Sequence, residues 1–464
     1  MKTELTIHFT NEKPLYQQLY LHIKNDILQG KREAGEKLPS KRKLSSLLSV
    51  SLNTVDAAYQ QLLAEGYIES RPRQGLFINE IEPMHPFGEL PPSPQQPTTN
   101  LTEKLINFSQ GEVDIEHFPY KAWRKCSVAA LDNPQNLQLG ENMGEVVLRN
   151  QIADYLYRAR GVRCSGEQVI IGAGTQQLLQ LLLYLFPRNS TLAMEDPGFY
   201  RANLIFKQGG MNVVPIAVRE LGIDVEQLEN LKQPINLVYC TPSHQFPLGM
   251  IMPVQQRQKL IQWAKVHDSY IIEDDYDGEF RYEGKPIPSL QGLDVYERVI
   301  YLGTFSKSLI PSARVNYMVL PSHLLVEYKQ KLFYMKQTVS KIHQQTISLF
   351  IEEGHWDKHV NKMRTLYRKK RETVIESLNR YFDTDKVIIK GEKSGLHVVL
   401  ELIDTRYTES ELIELARKRG IQVYGTELFY EQVEKQNPEI LVGYSGLRIN
   451  EIEQGIKTLS EAWL

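Results

Sequence analysis

Apolar residues recur at every fourth position over 14–28, as Leu15, Leu19, Ile23 and Ile27, with Pro14 where a first helical turn tolerates it. That spacing predicts an amphipathic helix. After Gly30 and Gly35, Leu38-Pro39-Ser40 reads as a short strand or turn ending in an N-cap serine. Residues 41–48 then read as a second, short helix. Ser49-Val50-Ser51 makes a tight turn, and Ser51 caps a third helix whose core face is Val55, Ala58, Tyr59 and Leu62. Two short helices across such a turn form a helix-turn-helix, whose second helix can enter a major groove. Over 66–78, two alternating stretches flank Arg71-Pro72-Arg73-Gln74-Gly75, the shape of a wing that presents arginines.

Between 82 and 100 the pattern stops. Six prolines in nineteen residues forbid helix and central strand, which predicts an extended tether over 81–104. Beyond it, short apolar runs at 169–171, 191–194, 237–239, 270–272, 299–301 and 315–320 alternate with amphipathic stretches at 176–185, 200–208 and 254–267. The alternation predicts a mostly parallel sheet between helices, with sites at the carboxyl ends of its strands. A different order begins near Lys331: a helix over 363–381, a strand over 395–401, a helix over 409–419, then a last strand and helix.

Length and charge narrow the class. A chain of 464 residues suits about three domains at ordinary domain size. A net charge of −2 gives no global pull toward nucleic acid or membrane, and residues 1–80 are only mildly basic, with 11 Lys and Arg against 9 Asp and Glu. Three scattered cysteines (Cys126, Cys164, Cys240) without metal-ligand spacing suit a reducing compartment. The first residues lack a signal-peptide core, and the longest apolar segment, 178–186, is too short to span a bilayer. The expectation is a cytoplasmic protein with no membrane partner.

The candidate chemistry centres on Lys307, placed among small hydroxyl residues just after the run at 299–302, with Arg314 seven residues on. Burial at a strand end lowers a lysine's pKa, and a neutral amine condenses with an aldehyde. Thr304, Ser306 and Arg314 supply what a neighbouring phosphate needs, and a Schiff-base lysine beside a phosphate site is the requirement of pyridoxal phosphate, PLP. Gly172-Ala173-Gly174-Thr175-Gln176 follows a strand and opens a helix, as a phosphate cradle or an ordinary strand-to-helix turn. Asp274 and Tyr276 share a face of Glu273-Asp274-Asp275-Tyr276-Asp277. That stretch suits a carboxylate against a pyridine nitrogen, a solvated acidic turn, or a metal site. Phe199, in Asp196-Pro197-Gly198-Phe199, is placed to stack on a flat ring or to fill a core.

Taken in order, these motifs resemble the fold-type I PLP-dependent aminotransferases over roughly 105–464. The N-terminal helices and wing resemble the GntR family of regulators. The whole chain resembles their MocR subfamily. That resemblance implies a multi-domain fold: a winged helix-turn-helix over 1–80, the tether, a large doubly wound α/β lobe over 105–330 and a small α+β lobe over 331–464. It implies PLP on Lys307, Asp274 at the ring nitrogen, Tyr276 at the ring oxygen and Phe199 on the ring. Gly174, Thr175, Gln176, Thr304, Ser306 and Arg314 would hold the phosphate. Expected partners are double-stranded operator DNA, a small-molecule effector and a second copy of the chain. Ser40, Arg42, Ser51, Asn53, Thr54, Arg71, Arg73 and Gln74 would face the DNA, and no metal is expected. Two departures stand out. Phe246 replaces the aminotransferases' usual asparagine, and Leu441 stands where their substrate-carboxylate arginine belongs, with Arg448 outside the pocket. The resemblance therefore implies binding without physiological turnover.

Overall fold

A computed structural model describes residues 7, 9–10, 13–81, 105–283, 287–432 and 435–464. The proline-rich stretch at 82–104 lies outside the described residues. The chain divides into two compact units, Met1–Thr102 and Glu103–Leu464.

In the first unit the predicted helices form at Leu15–Leu28, Lys41–Leu48 and Leu52–Ala64, and Pro14 stands one residue outside, as N-cap. Ser40 and Ser51 cap the second and third helices, accepting from the amides of Lys43 and Thr54. Ser49 takes the left-handed conformation that ends the second helix (φ 54°). Strands Ile68–Arg71 and Gly75–Ile78 pair antiparallel, and the 35–38 segment adds a third edge through Leu38 N–H to Leu76 O at 2.9 Å. Leu19, Ile23, Leu44, Val55, Tyr59, Leu62 and Ile78 close one core beneath them.

The second unit is built on an eight-stranded sheet. Its order is Val169–Gly172, Asn316–Val319, Val299–Thr304, Tyr270–Asp275, Leu237–Cys240, Thr191–Asp196, Asn212–Arg219, Gly222–Ile223. The central strands pair in parallel, while Asn316–Val319 runs antiparallel to both its neighbours and Gly222–Ile223 antiparallel to Asn212–Arg219. One register matters most: Thr304 lies opposite Asn316, which lies opposite Gly172. Three separate motifs thereby meet at one edge of the sheet.

The sequence pattern misses the strand Asn212–Arg219, whose Pro215 argues against a central position. It is tolerated because that strand is paired beside Pro215 only with Thr191–Asp196, at Met194. Helices Tyr120–Asp132, Val146–Arg160, Ser322–Lys331 and Lys341–Glu352 also escape the pattern, and the helix expected at 363–381 begins at His355. The lobes interleave in sequence. Val339, Ile347, Phe350, Trp356 and Val360 pack with Ile152, Leu156 and Tyr317 of the large lobe, although they follow residue 331. Conversely, Phe108 packs in the small-lobe core with Val398, Val442 and Ile456. The small lobe's own sheet runs Val387–Lys390, His397–Leu402, Glu439–Gly443, Tyr424–Gly425. No described helix is long and apolar enough to cross a membrane.

Beneath the sheet's carboxyl edge, Arg160 donates to Asp275 Oδ2 at 2.6 Å and to Ser243 Oγ at 2.7 Å, and the Tyr301 hydroxyl donates to the same carboxylate oxygen at 2.7 Å. Both ion-pair partners are buried, so removing one strands the other charge. Arg160→Met is expected to lower stability by roughly 3–5 kcal/mol, read as a fall in urea midpoint. By comparison Lys418→Ala, which removes an exposed pair with Glu414 (3.6 Å), should cost under about 1 kcal/mol. Equal midpoints for the two variants would show that the buried pair anchors nothing.

Candidate cofactor pocket and nucleic-acid interface

A cleft of about 240 Å³ opens at the carboxyl edge of the sheet, and Phe199, Asp274, Tyr276, Thr304, Ser306 and Lys307 all line it. Thr175, Gln176 and Arg314 also line it, together with Gln110, Phe246 and Asn316. The strands explain the gathering, because each delivers its last residues to the same edge. Gly174 does not line the cleft itself but shapes it from behind.

Lys307 follows Val299–Thr304, and its Nζ donates to the backbone carbonyl of Gln110 and, at 3.1 Å, to Gln110 Oε1. Burial pushes its pKa down to about 8, against the pull of Asp277. Asp274, next to last in the neighbouring strand, is buried, with the Tyr239 hydroxyl donating to Oδ2. Burial pushes its pKa up to about 7, while Tyr239's hydrogen bond works the other way. A carboxyl so poised becomes fully ionised when a cationic nitrogen is set beside it. The Tyr276 hydroxyl sits 3.0 Å from both the carbonyl and Nδ1 of His244, and His244 Nδ1 lies 2.9 Å from Asp277 Oδ2.

The phosphate end is equally specific. Gly174 has φ +101°, and a Cβ there would lie 2.1 Å from Arg314 Nη2. Only glycine permits this approach. Thr175 opens the helix Thr175–Leu185, and its Oγ1 is 2.9 Å from the Asn316 amide. Thr304 Oγ1 accepts from the Ser306 backbone N–H at 2.9 Å, and Ser306 Oγ is itself buried with no hydrogen-bond partner. Arg314 makes no ion pair among the described residues. An orphaned buried hydroxyl, a helix amino end and an arginine at one corner are the donors of an anion site. An amine with lowered pKa and a buried carboxyl lie across the same cleft. The residues present fit PLP.

Sequence reasoning did not find Gln110, Tyr239 or Asn316. Asn316 follows Arg314 by two positions at the start of a strand, which is the one usable signal. Tyr239 looks like any core residue of an apolar run, and Gln110 is brought in from far along the chain. Leu441 is fully buried, packed with Phe246 and Val399 and absent from the cleft wall. Arg448 is exposed and paired with Glu116, also away from the cleft. Arg201, by contrast, does line it, its Nε donating to the Tyr200 hydroxyl at 2.9 Å.

In the first unit Ser40, Arg42, Ser51 and Asn53 are exposed at the amino ends of the second and third helices. Thr54, partly covered, holds its Oγ1 2.9 Å from Ser51 Oγ. Arg71, Arg73 and Gln74 are exposed on the wing, but the two arginines differ. Arg71 lies over the Phe77 ring at 4.4 Å and donates to Glu69 at 2.7 Å, whereas Arg73 stands at the hairpin tip in a left-handed conformation (φ 61°).

Residues 103–440 match the family of class I and II aminotransferases, and residues 15–78 match the gntR family of bacterial regulatory proteins. The chain is 47% identical to the HTH-type transcriptional regulator YdeL of Bacillus subtilis, covering 98% of each chain. It is 32% identical to the probable rhizopine catabolism regulatory protein MocR of Rhizobium meliloti, covering 97% of this chain and 94% of that one. The chain belongs to the MocR-type regulators of the gntR family. It is also 31% identical to the HTH-type pyridoxine biosynthesis transcriptional regulator PdxR of Corynebacterium glutamicum over 86% of each chain. Among solved structures, LysN, the α-aminoadipate aminotransferase of Thermus thermophilus complexed with N-(5'-phosphopyridoxyl)-L-leucine, superposes with a TM-score of 0.69. It is 26% identical and covers 78% of this chain and 92% of that one.

For a MocR-type regulator the amino-terminal unit is the DNA-binding part, and the helix and wing contribute differently. Arg73→Ala should weaken binding to operator and random DNA alike and reduce the salt slope by about one. Arg71→Ala, already stacked and paired, should weaken it less. Asn53→Ala should instead erode preference for operator over random DNA by about 1–3 kcal/mol. Fluorescence anisotropy on both DNAs across a salt series checks this, and equal losses from Asn53→Ala on both would place the reading helix elsewhere.

Proposed function

We propose that this regulator binds PLP on Lys307, answers PLP itself rather than an amino acid, and adjusts expression of vitamin B6 synthesis genes. When bound, the cofactor supplies an aldehyde for the lysine and a ring that withdraws electrons. Asp274 holds the negative charge that keeps a ring nitrogen protonated. Ser306, Thr175 and Arg314 would hold the phosphate, and Phe199 would pack against the ring. Tyr276 offers a hydroxyl near the ring.

The observation that carries the reading is Leu441. An arginine there would clamp a substrate carboxylate through charged, bidentate hydrogen bonds worth several kcal/mol, on the order of 3. Here the position is apolar and sealed under Phe246. A cleft that grips the cofactor and lacks this clamp has differential affinity to offer PLP and little for a substrate, which argues against physiological turnover. The likeness to a regulator named for pyridoxine biosynthesis supports the choice of genes. As with aminotransferases, we take the working form to be a homodimer, so that two winged helices serve two half-sites. A second reading, a sensor of an amino acid such as a γ-amino acid, is favoured by Arg201, a cation at the rim able to meet a carboxylate.

Lys307→Ala should abolish the visible, borohydride-sensitive absorbance that the wild type gains with PLP. In the wild type the loading rate should climb as pH rises through about 8 and then level, because only the neutral amine attacks. A Lys307→Ala chain that keeps the band places the cofactor on another lysine.

Operator binding measured at fixed salt should differ between the apo and PLP-loaded chain by roughly tenfold, the ordinary size of such a coupling, and stay put across a panel of amino acids. Identical apo and loaded binding, with a large change on adding one amino acid, promotes the second reading.

A further inference from the structure

The second unit opens with an arch across the mouth of the cleft. Both its feet are fixed. Phe108 is fully buried, its N–H donating to Gln422 O and its carbonyl accepting from the Gly443 amide, each at 2.9 Å. Asp114 is buried and accepts from Lys370 Nζ at 2.7 Å and from the His117 amide at 2.8 Å. Between these feet the arch rests directly on the small lobe: a Cβ on Gly443 would come within 2.5 Å of the Gln110 amide nitrogen. At its crown, Gln110 turns both of its oxygens to Lys307. They are the hydrogen-bond acceptors of Nζ among the described residues.

We infer that Gln110 is a positioning residue for Lys307, holding its ammonium in the cofactor-free protein and so setting how readily that lysine condenses with an aldehyde. The inference rests on the reading of Lys307 as the cofactor's lysine. The ammonium first gives one proton to solvent. Nitrogen then forms a bond to the aldehyde carbon, the carbonyl oxygen leaves as water, and C=N replaces C=O. Nitrogen keeps at most one N–H, so the two bonds to Gln110 do not both survive. At least one of the two Gln110 contacts is thus given up when the lysine is used, on the stretch that follows residues 82–104 and the DNA-binding unit.

The sign follows from the chemistry of the acceptors. Two oxygens facing an ammonium favour its charged form, so Gln110 opposes the effect of burial. Asp277 pulls the same way. Asp274 and Tyr276 from the neighbouring strand end, Arg201 and Arg314 from the walls, and His397 from the small lobe bear on the same space. None of them hydrogen-bonds to Nζ. Gln110 is therefore a contact that substitution can alter without touching the phosphate donors or Asp274.

The experiment uses full-length, cofactor-free chain and two readouts. Competitive acetylation with acetic anhydride across pH, read on the Lys307 peptide by mass spectrometry, reports the lysine's midpoint without any cofactor. Stopped-flow mixing with PLP, quenched with borohydride, reports loading. Gln110→Ala, which removes Oε1 and leaves the backbone carbonyl in place, should lower the acetylation midpoint by about half a pH unit and speed loading at pH 7 about two- to threefold, as the neutral fraction grows. Gln110→Glu, which sets a full negative charge against the ammonium, should raise the midpoint and slow loading. A merely structural role for the arch would not produce opposite shifts. Unchanged midpoints in both variants overturn the inference. A wild-type chain whose Lys307 acetylates but forms no reducible adduct overturns the underlying reading of Lys307, and the loading step with it.

Discussion

A primary amine carried into a protein interior resists keeping its charge, and the neighbourhood of Lys307 is organised around that resistance. Burial at the end of a sheet strand lowers its pKa to about 8, so that a useful fraction of the amine is neutral near physiological pH. The same burial acts in the opposite sense on Asp274, one strand over, which it holds near 7. An amine and a carboxyl, both pushed toward neutrality, share a cleft whose walls also carry Arg201 and Arg314. Under the proposed function, the amine and the carboxyl would each gain a partner when a phosphorylated, ring-bearing aldehyde enters. The low dielectric that makes unpaired charge costly makes the paired arrangement specific.

That environment depends on strand register. Thr304, Asn316 and Gly172 lie opposite one another across three strands, and the middle one runs against its neighbours. Its reversal brings Arg314, just before it, to the same edge as the carboxyl ends of the other two. A parallel strand in that place would deliver the loop to the opposite edge and leave the anion corner without its guanidinium. Gly174 then lets Arg314 come close, because any side chain there would occupy the guanidinium's position. The buried pair of Arg160 and Asp275, with Tyr301 on the same carboxylate, ties the floor of this edge to the helix behind it.

Much of this was legible in the sequence where local chemistry and long-range order agree. Ser40 and Ser51 read as caps because a hydroxyl before a helix has one job, and both accept the expected amides. The cleft's motifs read as a set because glycine turns, acidic strand ends and a hydroxyl-flanked lysine recur in a fixed order. What escaped was set by tertiary context. Asn212–Arg219 carries a proline that a pattern rule rejects, yet its place beside a single long partner strand accommodates the missing donor. The helix from His355 to Tyr381 opens on turns whose buried apolar residues, Trp356 and Val360, belong to the large-lobe core, so those turns showed no small-lobe periodicity. Gln110 reaches Lys307 across nearly two hundred positions of sequence, and no spacing rule spans that distance.

The apolar seal formed by Leu441, Val399 and Phe246 bears on how such a protein works as a switch. An aminotransferase uses remote contacts with its substrate to drive lobe closure, and a carboxylate clamp on the small lobe is the natural lever. In this chain the corresponding strand, Glu439–Gly443, offers the cleft no cation at that lever. It does touch the arch, at Gly443, and the arch touches the lysine. If Gln110 positions Lys307 as inferred, chemistry at Nζ would reach the small lobe through that residue rather than through a substrate. A ligand shifts a conformational equilibrium only by binding its states unequally. Two contacts made by the free ammonium, of which condensation would leave at most one, would be such an inequality, placed on the segment that follows residues 82–104 in the chain.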